Sequence, residues 1–318
     1  MDAEKAKPLV IAGQAAVLAP RRVGAEASLP AAPARRQHHT LRRLRRSFSG
    51  LTGAMLLASV TFIALAASVL APQGYAQQDL VNRLQPPAWM EQGSLAHPLG
   101  TDPLGRDLWS RMVWAARVSL GIAGVSVLVA MSVGVLVGLL TGFYGGWLDA
   151  VMMRIADVQL SFPYLLLAIA VMALLKPSLT NLVILLALPG WMVYARTVRG
   201  VVLGLKRREF VEAALALGAS DRRVIFRHLA PNVLAPVIVI SSFQFAQIII
   251  AEASLSFLGV GVQPPIPSWG AMLSQGREYL STAWWLGIFP GLAIMIAVLG
   301  TNLFGDGLRD ALDPRLKL

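Results

Sequence analysis

The sequence predicts an all-α integral membrane protein with six transmembrane helices. Of its 318 residues 56% are hydrophobic and only 14% charged, with a mean hydropathy of +0.62. A water-soluble fold of this length has no interior large enough to hide that much apolar side chain. The apolar residues also fall into charge-free runs, and the basic residues gather at the borders of those runs.

A helix needs about 20 largely uncharged residues to cross a bilayer. Six stretches supply them: Arg46 to Asp79, Arg117 to Asp149, Asp157 to Lys176, Lys176 to Arg196, Arg227 to Glu252 and Glu278 to Asp306. The third and fourth meet at Lys176-Pro177-Ser178. A charge and a helix breaker there argue for two helices in a tight hairpin rather than one long buried segment.

Arg35, Arg36, Arg42, Arg43, Arg45 and Arg46 crowd the start of the first span, which places the amino end in the cytoplasm. Six crossings return the carboxyl end, with Arg309, Arg315 and Lys317, to the same side. The loop from Arg196 to Arg227 is then internal and rich in basic residues, and the Lys176 hairpin is external. The first external loop departs from this pattern, with Arg83, Arg106 and Arg111. On this reading the net charge of +11 marks topology and not nucleic acid.

Residues 1–46, rich in Ala, Pro and Arg, are expected to be a disordered cytoplasmic tail. A cleaved signal peptide is the competing view; its leader would be too long, and no small-x-small site follows Leu70. The expected organisation continues with a first helix and external loop at 47–113. A five-helix core at 114–305 contains a cytoplasmic loop at 205–231, and a second tail occupies 306–318. With no cysteine, disulfides and thiolate sites are excluded.

The loop is the most polar part of the core. Arg207 to Leu217 reads as an amphipathic helix, with Phe210, Ala213, Ala214 and Leu217 on one face and Glu209 and Glu212 on the other. Gly218 is placed to cap it, since a residue without Cβ enters the left-handed region at no steric cost. Ser220 is expected to N-cap a second short helix with Asp221 in its first turn and Arg227 and His228 near its end. Pro231 falls where that helix passes into the fifth span. A plain connector needs only a few residues, so an ordered knob here points to a partner.

Glu212-Ala213-Ala214, three residues, Gly218, nine residues and His228-Leu229-Ala230-Pro231 resemble the EAA loop of ABC importer permeases. That element docks into a groove on the ATP-hydrolysing subunit. The family pattern ends Ile-x-Leu-Pro, and this chain has His228 and Ala230 at the two apolar positions. His97-Pro98-Leu99-Gly100-Thr101-Asp102 with Gly105-Arg106-Asp107, leading into Ala116-Arg117-Val118-Ser119-Leu120, resembles the C-type permease of dipeptide, oligopeptide and nickel importers. So do Glu252 to Gly259, Pro264 to Gly270 and Gly305 to Pro314.

The resemblance implies a type I importer-like permease fold with cytoplasmic EAA coupling helices, in the bacterial inner membrane, both termini cytoplasmic. It implies a coupling loop of Glu212, Ala213, Ala214, Gly218, Ser220, Asp221 and Pro231. The implied partners are two ATP-binding subunits, a second homologous permease completing a heterodimer, an external solute-binding protein and membrane lipid. Short peptides are the implied substrate, with nickel or another small solute as the alternative; no residue in the sequence selects among them.

The chain has no Gly-Lys-Ser/Thr phosphate loop, so nucleotide chemistry is expected on another polypeptide, and no catalytic residue, metal or cofactor is expected here. A stand-alone secondary carrier would show ionisable groups deep in its spans. Glu252 is the one candidate, expected as a carboxylate at the outer border of the fifth span. An intramembrane enzyme would need a nucleophile or metal pair inside the spans, yet His38, His39, His97 and His228 all fall outside them.

Gly134, Gly138 and Gly142 form a small-residue stripe read as helix packing. His97, Asp102 and Asp107 match no standard ligand spacing and read as a turn. Trp109, Trp114, Trp269, Trp284 and Trp285 are expected as interfacial anchors near the external border. Pro264 to Pro267 reads as a rigid external turn.

Overall fold

The computed structural model describes residues 47–175 and 178–312. The expected tail at 1–46, the Lys176-Pro177 corner and residues 313–318 lie outside them.

Helix α1 (Phe48–Leu65) begins where the Ser47 hydroxyl accepts the Gly50 N–H, and a single turn, α2 (Ala67–Leu70), completes the first apolar run. Residues 71–107 form an irregular, internally bonded loop. The Asp107 carboxylate accepts the Ser110 N–H at 2.8 Å and so caps α3 (Leu108–Tyr144). The expected third span then departs from a straight crossing. Helices α4 (Gly146–Leu160) and α5 (Tyr164–Leu174) meet at 86° across Ser161-Phe162-Pro163. Pro163 has no N–H to continue the ladder and disfavours the helical conformation at Phe162. At 15 and 11 residues, neither piece covers the ~30 Å of hydrocarbon alone at about 1.5 Å per residue.

Helices α6 (Leu179–Ala187) and α7 (Gly190–Leu205) share one span of 27 residues, jogged at Leu188-Pro189. The short α8 (Glu209–Ala216) leads to α9 (Asp221–Phe257), then α10 (Trp269–Gly276) and α11 (Trp285–Leu312). Helix α11 continues past residue 305, where a tail was expected to begin. Among the described residues five helices are long and apolar enough to cross a membrane, and the bent α4–α5 pair makes a sixth if it counts as one.

Helix α3 packs along α7, and the glycine stripe is the reason. A Cβ on Gly134, Gly138 or Gly142 would fall 2.3 Å from the Trp191 carbonyl, 2.6 Å from the Ala195 carbonyl and 2.8 Å from Val202 Cβ. Contact positions rise together on both helices, so the two run parallel. The apolar core has two storeys. One, around Val198, Val202, Leu229 and Val233, lies at the α8 end of the bundle. The other, around Ile122, Leu182, Ile249 and Leu255, lies at the opposite end with α1, α10 and α11.

Helix α4 is bridged to α7 by polar side chains. Arg199 donates to both oxygens of Asp149, at 2.5 and 2.6 Å, and Arg196 Nη2 to Asp157 Oδ1 at 2.6 Å. Gln159 donates to the Leu188 carbonyl at 2.8 Å and accepts from the Trp191 indole at 3.1 Å.

At the opposite end, the turn expected at His97 to Asp107 is an ion network. His97 Nδ1 lies 3.2 Å from Asp107 Oδ1, whereas Asp102 takes Arg106 Nε at 2.6 Å and a short bond from Arg111. Arg111 Nη2 also donates to Gln275 on α10 at 3.0 Å. Exposed Asp79, outside the spans, has its carboxyl held below its usual range, chiefly by the Asn82 side-chain amide.

Two expectations are corrected here. Glu252 is fully buried rather than a border carboxylate; it accepts the Ser256 hydroxyl at 2.7 Å and the Ser119 hydroxyl at 3.1 Å. Trp269 and Trp285 are buried too, donating to the Met112 and Thr101 carbonyls at 3.2 and 3.3 Å, so they pin the core instead of anchoring at lipid.

Candidate functional site

The loop between α7 and α9 is a knob projecting from the storey around Val198, Val202 and Leu229. Its base is fixed by Lys206, whose ammonium donates to the Phe143 carbonyl at 2.6 Å and sits 5.4 Å over the Phe143 ring. A cation on one of the last carbonyls of α3 suits the dipole of that helix end. Helix α8 follows with Glu209 and Glu212 in its first turn, where acids suit the opposite end of a dipole.

The turn expected at Gly218 is present, with φ +80°. The Ala219 N–H donates to the Ala214 carbonyl at 3.0 Å and the Gly218 N–H to the Leu215 carbonyl at 2.9 Å. This is the Schellman arrangement that satisfies the last carbonyls of a helix. Nothing lies within 4 Å of a Cβ added at Gly218. Backbone conformation, not crowding, therefore requires glycine there.

The second half of the knob departs from a short separate helix. Asp221 opens α9, which runs without a break into the fifth span, and Val224–Leu229 within it is a π-helical turn. Pro231 accounts for the wide turn, since it has no N–H for the Arg227 carbonyl and its ring pushes that carbonyl aside. Ser220 stands at the N-cap position with extended backbone but makes no side-chain cap bond.

The face of α8 that packs on the chain is neither the Phe210–Leu217 face nor the Glu209–Glu212 face read from the sequence. Val211 is its buried residue, set against Val224, Ile225 and Leu229, whose exposures are 0, 3 and 0%. These three anchor the second half in place of the apolar residues missing at 228 and 230. Phe210 and Leu217 instead face outward, 45 and 89% exposed, with Phe226 at 54%. Ser220, Arg222, Arg223, Phe226, Arg227 and Pro231 line a shallow groove on this surface.

The structure thus gathers Glu212, Ala213, Ala214, Gly218, Ser220, Asp221 and Pro231 on one projection, with Ala214 half-buried and Glu212, Ala213, Gly218, Ser220 and Asp221 exposed. Sequence reasoning missed Lys206, Phe226 and the arginine-lined groove. Phe226 carried a signal: it follows Val224-Ile225, and on a helix anchored by those two it must point elsewhere. What the arrangement offers is a rigid, basic, partly apolar surface on a membrane bundle, carrying no catalytic cluster among the described residues.

The chain belongs to the family described as binding-protein-dependent transport system inner membrane component, whose model matches residues 134–318. Residues 38–87 match a second model, the N-terminal transmembrane domain of oligopeptide transport permease C.

Among its relatives, the chain is 43% identical over 276 residues to a dipeptide transport system permease of Alkalihalophilus pseudofirmus, covering 87% of this chain and 89% of that one. It is 44% identical over 267 residues to a di/tripeptide transport system permease of Pseudomonas aeruginosa, covering 84 and 88%. A glutathione transport system permease of Pectobacterium atrosepticum is 43% identical over 279 residues, covering 87 and 90%.

Proposed function

We propose that this chain is a permease subunit of an ATP-driven importer and passes short peptides handed over by an external solute-binding protein. The knob faces the cytoplasm, a reading supported by the basic residues that follow the span, Lys206, Arg207, Arg208, Arg222, Arg223 and Arg227. There it is gripped by one of two ATP-hydrolysing subunits, while a second, homologous permease completes the passage. Three relatives named for dipeptides, di/tripeptides and glutathione support the peptide assignment, since all of these are short peptides.

The observation that carries the reading is the outward face of the knob. Phe210, Leu217 and Phe226 are left on the surface of a turn closed by its own backbone hydrogen bonds and anchored by Val211, Val224, Ile225 and Leu229. Moving a transporter from 1:99 to 99:1 between two states takes about 5.5 kcal/mol of differential interaction. Without a phosphate loop of its own, the chain takes that energy mechanically, as the partner dimer closes and pulls the knob.

Gly218→Val tests this, because a β-branched residue resists φ +80°. The assembled transporter carrying it is expected to insert at normal level and lose ATP-dependent peptide uptake. Uptake at the normal rate would refute coupling through this turn.

A further inference from the structure

Arg196, in the span Leu179–Leu205, is paired with Asp157 on the surface of the chain. Arg196 stands nine residues before Leu205 in the span Leu179–Leu205, about 14 Å along the axis. A span of 27 residues is about 40 Å long and overhangs ~30 Å of hydrocarbon by about 5 Å at each end. With that span centred on the bilayer, the Arg196 side chain is rooted about 8 to 9 Å inside the hydrocarbon boundary. Yet the Arg196 and Asp157 side chains are 43 and 56% exposed.

Charged groups at such depth face a water-filled cavity or the interior of a bundle rather than lipid. The neighbouring face favours water. Gly200 and Gly204 continue the Arg196 face toward the knob, and a Cβ at either would meet nothing within 4 Å. The opposite face of α7 is already taken by α3. Toward mid-membrane the polar strip goes on through Gln159 and the Trp191 indole.

The pair also keeps spare bonding capacity. Among the described residues Arg196 donates only through Nη2, and only to Oδ1 of Asp157, which leaves Oδ2 free of partners. A guanidinium has five N–H donors in a planar fork suited to a carboxylate. A carboxylate and an ammonium can therefore bind beside the closed pair without breaking it.

We propose that Asp157 and Arg196 form a subsite in the wall of the passage for the two charged ends of a zwitterionic peptide, Arg196 taking the carboxylate and Asp157 the ammonium. This rests on the importer reading above.

The whole transporter in liposomes, with its ATPase subunits and binding protein, tests it with dialanine as probe. Arg196→Gln and Asp157→Asn are each expected to cut ATP-driven uptake about tenfold, while binding-protein-stimulated ATP hydrolysis stays within about twofold. Loss of hydrolysis in step with uptake would assign the pair to coupling and overturn the subsite.

The exchange variant Asp157→Arg with Arg196→Asp keeps the bond and is expected to stay at least about fivefold impaired. Full recovery would make the pair a strut and overturn the subsite as well. Since the chain has no cysteine, Gly200→Cys places a single thiol on the same face. It is expected to react with a charged methanethiosulfonate and to be slowed by dialanine, and a thiol that never reacts would mean that a partner or lipid covers the face. Absent uptake by the unaltered transporter would sink the importer reading instead, so the two failures are distinguishable.

Discussion

The end of the bundle away from the knob buries charged side chains, whereas the knob leaves apolar ones exposed on an anchored turn. At the end away from the knob, Asp102, Arg106, Asp107, Arg111 and Glu252 are all buried and bonded within the chain. At the knob end, Phe210, Leu217 and Phe226 are left on the surface above an anchored turn. Buried charge demands partners and finds most of them locally, with Arg111 Nε and Gln85 Oε1 left over, so these charges of the first end are paired without a second chain. The second presents apolar surface without using it, as a docking surface does before its partner arrives.

The strongest way to break this contrast is Asp102→Ala, which leaves Arg106 and Arg111 buried without their counter-charge. Removing one partner of a buried ion pair costs about 3–5 kcal/mol, and the melting midpoint in detergent should fall accordingly. Next comes the knob's own anchor. Leu229→Ala opens a cavity worth about 2–5 kcal/mol and should expose the loop 205–231 to proteolysis ahead of the rest.

Smaller again is Glu252→Ala, which strands the Ser119 and Ser256 hydroxyls; an unmet buried polar group costs about 1–3 kcal/mol. Denaturant titration should register that loss, and a shift of midpoint no greater than a surface substitution gives would mean the carboxylate is not structurally needed. The least effect on folding is expected from Leu217→Ser with Phe226→Ser, within about 0.5 kcal/mol each. Peptide uptake by the assembled transporter should nevertheless drop severalfold, and an unchanged rate would remove these two side chains from the docking face.

Much of this was readable beforehand, because spans and caps are local. Apolar runs bounded by charged residues became helices, and Gly218, at the end of an amphipathic stretch, became the left-handed turn it suggested. The glycine stripe likewise became a helix contact.

What stayed hidden depends on distance. Glu252 reads as a border carboxylate until Ser119, 133 residues away in sequence, is brought against it. The outward turn of Phe210 and Leu217 could not be told from an inward one, because a helical period shows that a face is apolar, not what covers it. The 86° bend had a local signal, Phe162-Pro163, outweighed by the apolar run on either side. The π turn before Pro231 followed from the same missing N–H.

The central claim, that the knob is a handle held by an ATP-hydrolysing partner on the cytoplasmic side, is tested most directly by a thiol at its tip. Leu217→Cys, in a chain with no other cysteine, should cross-link to the ATPase subunit in native membranes and resist a membrane-impermeant reagent added outside intact cells. Rapid labelling from outside, with no cross-link to any neighbouring chain, would contradict it.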